Sequence, residues 1–392
     1  MSQQLINLSK DLKQLRDEGY HIEIYGGHLI VHHIPYVTCD STVQLGILVC
    51  ELTLSGNMTT KPSTHVMMFS GQQPCDSTGK IIAGIQHSNL NQTLGNGVVI
   101  NRSFSNKPKG GYSNYYEKVK RYAEIISAPA MYLEDNLTFK PFIPIPSMDN
   151  NSVFKYYDTN SSRANIDSIN QKLINQKIAI IGLGGTGSYI LDLVSKCCVK
   201  EIHIYDGDVF LNHNAFRSPG AASLVTLSEK PLKVEYYTEI YSAIRRKIIP
   251  HAYYISSSNM HELKQMDYIF LCIDDNLVRC DCVDFLQANA VPFIDVGLGV
   301  NVVDDELIGT LRVTTGLESK KDHLATRIPN GANDNNEYST NIQIAELNSF
   351  NAAQAVIKWK KLSGFYQDLE KEHHSTYSIN VSQLLNEDYC DT

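Results

Sequence analysis

The chain has 392 residues, of which 43% are hydrophobic and 19% are charged. This composition is that of a globular protein with buried cores, and it excludes a largely disordered chain. The formal net charge of −8 argues against bulk binding of nucleic acid or of an anionic membrane surface. The length predicts about two domains.

The first residues and the cysteine content both predict a cytoplasmic protein. The start, Met-Ser-Gln-Gln, lacks the basic and apolar pattern of a secretion signal, and no apolar run is long enough for a membrane helix. The nine cysteines are odd in number and follow no disulfide framework. We therefore expect reduced cysteines and no membrane partner.

Residues 1–150 are predicted to form a smaller α+β domain. Leucines recur at helical spacing from Leu5 to Leu15 and predict one amphipathic helix. Alternating apolar residues on both sides of Gly26-Gly27 predict a hairpin, and residues 66–69 predict a further strand. A stretch rich in proline and asparagine then predicts a domain boundary near residue 150.

Residues 151–392 alternate predicted strands with predicted helices, which is typical of a mostly parallel sheet covered on both faces. The polar, asparagine-rich residues 318–341 are predicted to form a long loop. A closing helix contains Trp359. The expected fold class is α/β, with a Rossmann-like domain and a mostly parallel sheet preceded by the smaller α+β domain. The predicted strands of this domain are 177–181, 201–205, 268–273 and 291–296.

The strongest indication of function is a glycine-rich run between a predicted strand and a predicted helix. Its sequence is Gly182-Leu183-Gly184-Gly185-Thr186-Gly187-Ser188. Glycines let the backbone approach a phosphate closely, and the start of a helix offers free N–H groups. Asp206 ends the next strand, where a carboxylate can accept hydrogen bonds from ribose hydroxyls. The pattern predicts a nucleotide site, and because these glycines also fit a dinucleotide, the nucleotide remains open on this evidence.

Charged residues follow the glycine run in a characteristic order. Asp206-Gly207-Asp208 leads to Asn214 and Arg217 and then to Lys233, and Cys272-Ile273-Asp274 precedes Arg279. This ordered set resembles the ubiquitin-activating-enzyme-like adenylyltransferases of the ThiF/MoeB type, over about residues 160–365. The resemblance implies ATP and Mg²⁺ as cofactors.

The resemblance also implies a role for each matched position. The loop of Gly182, Gly184, Gly185 and Gly187 would lie along the ATP phosphates, Asp206 would hold the ribose, and Asp208 would belong to the same nucleotide site. Asn214, Arg217 and Lys233 would neutralise the triphosphate, and Asp274 would coordinate Mg²⁺. Nucleotidyl transfer needs cations around the migrating charge and a carboxylate for the metal, which agrees with these residue types.

Two assignments depend on spacing. The distance in sequence to Arg279 selects Asp274 as the metal ligand, whereas an Asp-Asn pairing would select Asp275, and both remain open. The family carries an upstream arginine that reaches ATP across a homodimer interface. Arg163 is the candidate for that arginine here, and it is expected to be catalytic with Arg217, Lys233 and Asp274.

The sequence departs from the family in three ways. The glutamine after the family's arginine is Ser218 here, and the paired Cys-x-x-Cys motifs are absent, so no structural zinc is expected. No cysteine lies between Cys282 and Cys390, the interval where thioester-forming members place their nucleophile. The candidate acyl acceptors are therefore the hydroxyls of Ser339 and Thr340 and the thiol of Cys75 in the first domain.

The first domain resembles one fused in front of this adenylation domain in bacterial ubiquitin-like conjugation proteins. The resembling stretches are residues 65–69, 73–75 and 104–108, with Gly111-Tyr112. Its histidines, among them His28 and His65, follow no zinc-ligand spacing. Strand alternation predicts that His32 and His33 lie on opposite faces.

Together the resemblances imply adenylation of the C-terminal carboxylate of a ubiquitin-like protein in a bacterial conjugation pathway linked to antiviral defence. A conjugating-enzyme-like protein is a further expected partner. Three alternatives remain: adenylation of a small-molecule or tRNA-nucleoside carboxyl group, an NAD(P)-dependent oxidoreductase, and a non-catalytic scaffold. The oxidoreductase leaves Arg217, Lys233 and Asp274 without a role, and the complete set of cations argues against a scaffold.

Overall fold

The computed structural model describes residues 2–147, 152–329 and 342–389. The chain divides into two compact units, Met1–Ile145 and Pro146–Thr392. Each unit has a hydrophobic core of its own. No helix in the described ranges combines the length and the apolar character needed to cross a bilayer.

The first unit is built on a six-stranded antiparallel sheet with the strand order β1-β2-β3-β6-β8-β7. Its strands are β1 (His21–Tyr25), β2 (His28–Val37), β3 (Val43–Glu51), β6 (Val66–Ser70), β7 (Gln86–Gly95) and β8 (Val98–Ser105), and β4 (Leu54–Ser55) and β5 (Met58–Thr59) form a separate two-stranded antiparallel sheet. The helices are α1 (Ser2–Leu8), α2 (Lys10–Asp17) and α3 (Tyr115–Leu133), with a 3-10 helix at Ala83–Ile85. The helices share an apolar core with the sheet, which gives the predicted α+β class.

The predicted hairpin around Gly26-Gly27 is confirmed, because β1 and β2 pair antiparallel with Ile22 opposite Val31. The single amphipathic helix that we predicted is wrong. Ser9 has an extended backbone that separates α1 from α2, and its hydroxyl accepts a hydrogen bond from the Thr59 N–H at 3.0 Å. The periodicity of the leucines therefore continues across a break in the backbone.

A β-bulge in β2 changes the predicted position of two histidines. The register shifts between Val31 and Ile34, and His33 has a φ of 61°. An extra residue in a strand interrupts the alternation of side chains. The Nδ1 atoms of His21 and His33 are 3.1 Å apart, and the rings of His21 and His32 are 4.8 Å apart. Both neighbours thus contact the same ring, and the prediction of opposite faces is wrong.

The second unit is built on an eight-stranded sheet with the strand order β11-β10-β9-β12-β13-β14-β15-β16. The strands are β9 (Lys177–Ile181), β10 (Glu201–Tyr205), β11 (Ile248–His251), β12 (Tyr268–Leu271), β13 (Phe293–Val303), β14 (Glu306–Gly316), β15 (Glu372–Ser378) and β16 (Gln383–Tyr389). The strands from β11 to β13 pair parallel, and those from β13 to β16 pair antiparallel. The predicted α/β class is confirmed.

Helices surround this sheet. They are α4 (Thr159–Ala164), α5 (Asp167–Asn170), α6 (Gly185–Ser195), α7 (Asn212–Ala215), α8 (Leu224–Glu229), α9 (Lys233–Tyr241), α10 (Asn276–Ala288), α11 (Leu324–Arg327) and α12 (Ala345–Leu362), with 3-10 helices at Met260–Gln265 and Ile379–Val381. The predicted loop at 318–341 thus contains the short helix α11, and its residues 330–341 lie outside the described chain. Trp359 of α12 is fully buried, and its Nε1 donates to Gln176 Oε1 at 2.9 Å.

Strand β15 carries two adjacent buried histidines. The Nδ1 atom of His373 lies 2.7 Å from Thr315 Oγ1, and that of His374 lies 3.0 Å from Thr314 Oγ1. Burial first, and then nearby cationic side chains, lower the pKa of each histidine to about 4. Both rings are therefore neutral in the folded protein at neutral pH, and protonating them opposes folding.

We predict that the second unit loses stability as the pH falls from about 6.5 to about 4. Histidines in the unfolded chain have a pKa near 6.5 and bind protons in this range, whereas the two folded histidines do not. The free energy of unfolding is therefore not reduced by these rings above pH 6.5. Below pH 6.5 the free energy of unfolding should decline by roughly 1 kcal/mol per pH unit for each ring. Urea unfolding followed by the fluorescence of Trp359, the single tryptophan, measures it.

Replacing both His373 and His374 by Gln should remove the part of this pH dependence that the two rings contribute, and should leave the part due to His203, His251 and His323, whose pKa values burial also lowers. The exposed His261, replaced by Gln, is the matched control and should retain it. A free energy of unfolding that stays constant between pH 6.5 and 4 in the unaltered chain would contradict the prediction.

Candidate functional site

A cavity of about 1110 Å³ lies at the carboxyl ends of the parallel strands of the second unit. Loops converge at this edge of a parallel sheet, and α/β proteins bind their ligands there. Most of the predicted site residues line this cavity: Gly182, Gly184, Gly185, Gly187, Asp206, Asp208, Arg217, Lys233 and Asp274. The glycine run and the charged residues that follow it in the sequence therefore lie around one cavity, as their order predicted.

The glycine loop turns sharply enough to bring the start of α6 against the end of β9. Gly182 has a φ of 88°, and a Cβ there would overlap the carbonyl oxygen of Cys272. A Cβ on Gly187 would overlap the carbonyl oxygen of Gly182. Helix α6 begins at Gly185 without a side-chain cap, so the N–H groups of its first turn have no partner within the helix. These groups give the cavity wall a partial positive charge.

Asn348 of α12 fixes the same loop from the other side. Its Oδ1 accepts a hydrogen bond from the Thr186 hydroxyl at 2.9 Å, and its Nδ2 donates to the Arg217 carbonyl at 3.4 Å. The side chain is fully buried, and a Cβ on Gly185 would overlap it. Sequence analysis missed this residue. The available signal was an asparagine pair, Asn348 and Asn351, on the buried face of α12.

Asp206 and Asp208 share the ammonium group of Lys233. The Nζ atom of Lys233 lies 3.3 Å from Asp206 Oδ2 and 2.6 Å from Asp208 Oδ2. Asp206 Oδ2 also accepts the Leu183 N–H at 2.7 Å, which links β10 to the glycine loop. Burial alone would raise the pKa of Asp208, but hydrogen bonds from Lys233 and Tyr254 outweigh burial and lower it. Asp208 is therefore ionised and holds Lys233 at the cavity wall.

Tyr254 is a further cavity residue that sequence analysis missed. Its hydroxyl donates to Asp208, and this hydrogen bond raises the pKa of Tyr254 to about 12. Its ring lies so close to Gly207 that a Cβ there would be 2.8 Å from the ring. Tyr253 and Tyr254 follow β11 without matching a motif, so nothing in the pattern distinguished Tyr254.

Arg217 lines the cavity and carries an unused donor. Its Nε atom is buried and has no hydrogen-bond partner among the residues that the structure describes. An unpaired buried donor is costly, and an anion bound in the cavity would satisfy it. Asn214, by contrast, is buried behind the wall, where its Oδ1 accepts the Leu211 N–H and its carbonyl accepts the Ser218 hydroxyl. Asn214 thus supports the short helix α7 that precedes Arg217.

The adjacent aspartates after β12 differ in their partners. Asp275 caps α10, because its Oδ1 accepts the N–H groups of Leu277 and Val278 at 2.8 and 3.1 Å. Asp274 lines the cavity and has no hydrogen-bond or ion-pair partner within residues 2–147, 152–329 and 342–389. Asp274 is therefore the carboxylate that is available to a cation.

A cluster of metal ligands is absent from the part of the chain that the structure describes. Mg²⁺ bound with a nucleotide needs only one or two carboxylates, because phosphate oxygens and water complete its coordination. The single available carboxylate of Asp274, facing a cavity with phosphate-binding donors, fits that arrangement.

A buried carboxylate supports two more arginines in the cavity wall. Asp295 of β13 is fully buried, with Oδ1 3.2 Å from Arg279 Nε and Oδ2 2.5 Å from Arg312 Nη2. Both arginines line the cavity. The sequence motif included Arg279 only through its distance from Asp274 and gave it no role. Asp295 and Arg312 belong to no motif that we identified. We call these three residues the Asp295 cluster.

Cys272 also lines the cavity. Burial, reinforced by the charge of Asp295, raises the pKa of its thiol above the usual range. The thiol is therefore protonated at neutral pH and a poor nucleophile.

Two of the remaining predicted residues, Arg163 and Cys75, are not among those that line this cavity. Arg163 is exposed in the last turn of α4. Ser339 and Thr340 lie outside the described residues. Cys75 belongs to the first unit, where it is fully buried with its Sγ 3.1 Å from Cys39 Sγ. Burial, with the contact to Cys39, raises the pKa of Cys75 to about 12, which disfavours a reactive thiolate.

Two family models match successive parts of the chain. Residues 157–315 match the ThiF family, and residues 10–159 match the domain of unknown function DUF6791. The predicted resemblance to the ThiF family is confirmed over residues 157–315, which lie in the second unit. None of the curated proteins matches the chain.

Several solved structures are similar to the chain. The crystal structure of E. coli MccB has 16% sequence identity and a TM-score of 0.47, and the match covers 79% of this chain and 94% of that one. E. coli MccB with ATP has 17% identity, coverages of 71% and 83%, and a TM-score of 0.45. E. coli tRNA N6-threonylcarbamoyladenosine dehydratase, TcdA, has 14% identity, coverages of 52% and 92%, and a TM-score of 0.40.

We predict that Gly187→Ala destabilises the second unit by about 2 kcal/mol or more, because its methyl group would overlap the Gly182 carbonyl. Gly184→Ala is the matched control. Gly184 has a φ of −69°, and no atom lies within 4 Å of an added Cβ, so the change should cost no more than about 1 kcal/mol, which is the typical cost of alanine at an N-cap. Urea unfolding followed by Trp359 fluorescence compares them. Equal effects of the two substitutions would contradict the described loop geometry.

Proposed function

We propose that the ThiF-family domain adenylates a carboxylate with ATP and Mg²⁺, which yields an acyl adenylate and pyrophosphate. The observation that carries this proposal is a single cavity that combines the glycine loop, Arg217 with its unpaired Nε, Lys233 and Asp274. These groups supply phosphate-binding donors, positive charge and a carboxylate for the metal. Nucleotidyl transfer requires little else of a protein, because positioning and charge stabilisation provide most of the catalysis.

The acyl substrate that we propose is the C-terminal glycine carboxylate of a ubiquitin-like protein in the cytoplasm. The resemblance of the first domain to those of bacterial ubiquitin-like conjugation proteins supports this choice, and it favours a conjugating-enzyme-like protein as a further partner. The net charge of −8 disfavours a tRNA substrate. A dinucleotide-dependent oxidation would leave the cations and Asp274 unused.

In the proposed reaction, a carboxylate oxygen attacks the α-phosphorus of ATP. The bond between the α-phosphorus and the bridging oxygen breaks, and pyrophosphate leaves with the electron pair. The first-turn N–H groups of α6 and the guanidinium of Arg217 bind phosphate oxygens, and Asp206 accepts a hydrogen bond from the ribose. A magnesium ion held by Asp274 would neutralise part of the phosphate charge. No thiol takes part in this step, which agrees with the protonated Cys272.

We predict that the chain exchanges labelled pyrophosphate into ATP in the presence of a small glycine-ended protein encoded by a neighbouring gene. Asp274→Asn should reduce the exchange rate about 100-fold or more, because it removes the charged ligand of the metal. Asp275→Asn is the matched control, since asparagine caps a helix as well as aspartate does. It should retain the rate within about threefold.

Nucleotide binding is measured separately by calorimetry with MgATP and with NAD. Lys233→Met should weaken MgATP binding about tenfold or more, because it removes a cation from the wall. Undiminished exchange in D274N would exclude Asp274 as the metal ligand. Tight binding of NAD without binding of MgATP would replace the proposed function with the oxidoreductase alternative.

We further propose that the chain acts as a homodimer in which Arg163 reaches the ATP bound by the other subunit. The exposed position of Arg163, outside the cavity of its own chain, supports this arrangement. We predict that R163A and D274N, each inactive alone, regain exchange when mixed, since a mixed dimer has one site with both residues intact. Random assortment gives about a quarter of the full rate. A mixture as inactive as its components would exclude action of Arg163 across the interface.

A further inference from the structure

We infer that Arg312 binds the carboxyl group of the acyl substrate and orients it toward the α-phosphorus, and that Asp295 is the residue that positions Arg312. This inference rests on the proposed function and assigns a residue to the acyl end of the same cavity. Four observations carry it: the order of the strands, the contacts of Arg312, the charge of the cluster and the two glycines of β13.

The order of the strands separates the two ends of the cavity. Asp206 follows β10, the glycine loop follows β9, and Asp274 follows β12, whereas Arg312 lies on β14. Neighbouring strands are about 4.8 Å apart, so the backbones of Asp206 and Arg312 are about 19 Å apart. A ribose bound at Asp206 directs its phosphates along the glycine loop. The acyl group must then enter from the β13–β14 side.

Arg312 is fixed and still has donors to offer. Its Nη2 donates to Asp295 Oδ2 at 2.5 Å, and its Nη1 donates to Thr314 Oγ1 at 2.8 Å. These bonds use two of the five N–H donors of a guanidinium. Because the side chain lines the cavity, the remaining donors are available to a carboxylate, which arginine binds in a planar, paired geometry. A group held in this way needs no reorganisation when the substrate arrives.

The charge of the Asp295 cluster points to an anionic partner. One buried carboxylate faces two arginines, so the cluster contributes one net positive charge to the cavity wall. The phosphate end has its own donors in Arg217, Lys233 and the start of α6. The reaction contains one other anion, the carboxylate that is to be activated. The cation at the β13–β14 end therefore matches the acyl substrate rather than a further phosphate.

Two glycines of β13 show which kind of chain fits beside Arg312. A Cβ on Gly297 would lie 2.9 Å from Arg312 Nη2, so a glycine there lets the guanidinium rest on the strand. At Gly299, no atom lies within 4 Å of an added Cβ. Both glycines line the cavity. This open floor next to the cation suits an extended C-terminal segment of small residues that ends in a free carboxylate.

The test measures the affinity of three adenosine compounds by calorimetry. N-acetylglycyl-sulfamoyl-adenosine mimics the acyl adenylate and keeps one of the two oxygens of the substrate carboxylate as its acyl carbonyl. Sulfamoyl-adenosine lacks the acyl group, and MgATP reports the nucleotide end. The full chain should bind the acylated compound more tightly than sulfamoyl-adenosine. R312Q should weaken binding of the acylated compound about 10- to 100-fold and change binding of the other two by less than about twofold. R312K, which keeps the charge but loses the paired geometry, should recover part of the loss.

Two further variants control for folding. R327Q removes an arginine that pairs with Asp388 at 2.7 Å outside the cavity, and it should change none of the three affinities. The double variant D295N/R312Q removes one negative and one positive charge together, while Arg279 keeps its hydrogen bonds to Asn276 and the Ile273 carbonyl, and it should reproduce the selective loss of R312Q. Trp359 fluorescence in urea verifies that each variant is folded.

The outcomes distinguish a failure of Arg312 to bind the acyl group from a failure of the chain to bind adenosine nucleotides. Equal losses for all three compounds in R312Q would make Arg312 a phosphate or purely structural residue, and no loss would exclude contact with the acyl group. Equal affinity of the unaltered chain for the acylated compound and sulfamoyl-adenosine would overturn the inference alone. A chain that binds none of the three compounds would instead overturn the proposed function.

Discussion

The site of the second unit depends on a close approach between the end of β9 and the start of α6. A side chain at Gly182 or Gly187 would occupy the space of a neighbouring carbonyl group, and one at Gly185 would occupy the space of Asn348. Because glycine occupies all three positions, the helix begins directly at the edge of the sheet. Its unpaired N–H groups then face the same cavity as the residues that follow β10 and β12. The electrostatics of the cavity follow from this geometry.

Carboxylates place the cations around this cavity. Asp206 and Asp208 hold Lys233 at one end, and the fully buried Asp295 holds Arg279 and Arg312 at the other. Burying such charges is unfavourable, and replacing a buried ion pair by apolar residues is often neutral or stabilising. The pairs are better explained by the positions that they give to the cations, because fixed charges stabilise a reaction without reorganising.

The parts of the site that sequence analysis predicted are those encoded by local patterns. A strand, a glycine loop and a helix are consecutive in the chain, and parallel strands bring their carboxyl ends together, so Asp206, Lys233 and Asp274 could be assigned to one cavity. The residues that were missed depend on contacts between distant segments. Asn348 meets Thr186 across 162 positions, and Tyr254 meets Asp208 across 46. Such contacts follow from tertiary packing, which periodicity does not reveal.

The same distinction applies to the fold and to glycine itself. The hairpin and the parallel strands were predicted, whereas the break at Ser9 and the bulge at His33 were not, because both are single-residue departures from a regular period. The glycines before α6 form a pattern, since a tight turn needs several of them in order. Gly297 and Gly299 form none. Gly297 leaves room for the guanidinium of Arg312 on the next strand, and Gly299 leaves the cavity floor open. These different roles can be recognised only when the pairing of β13 with β14 is known.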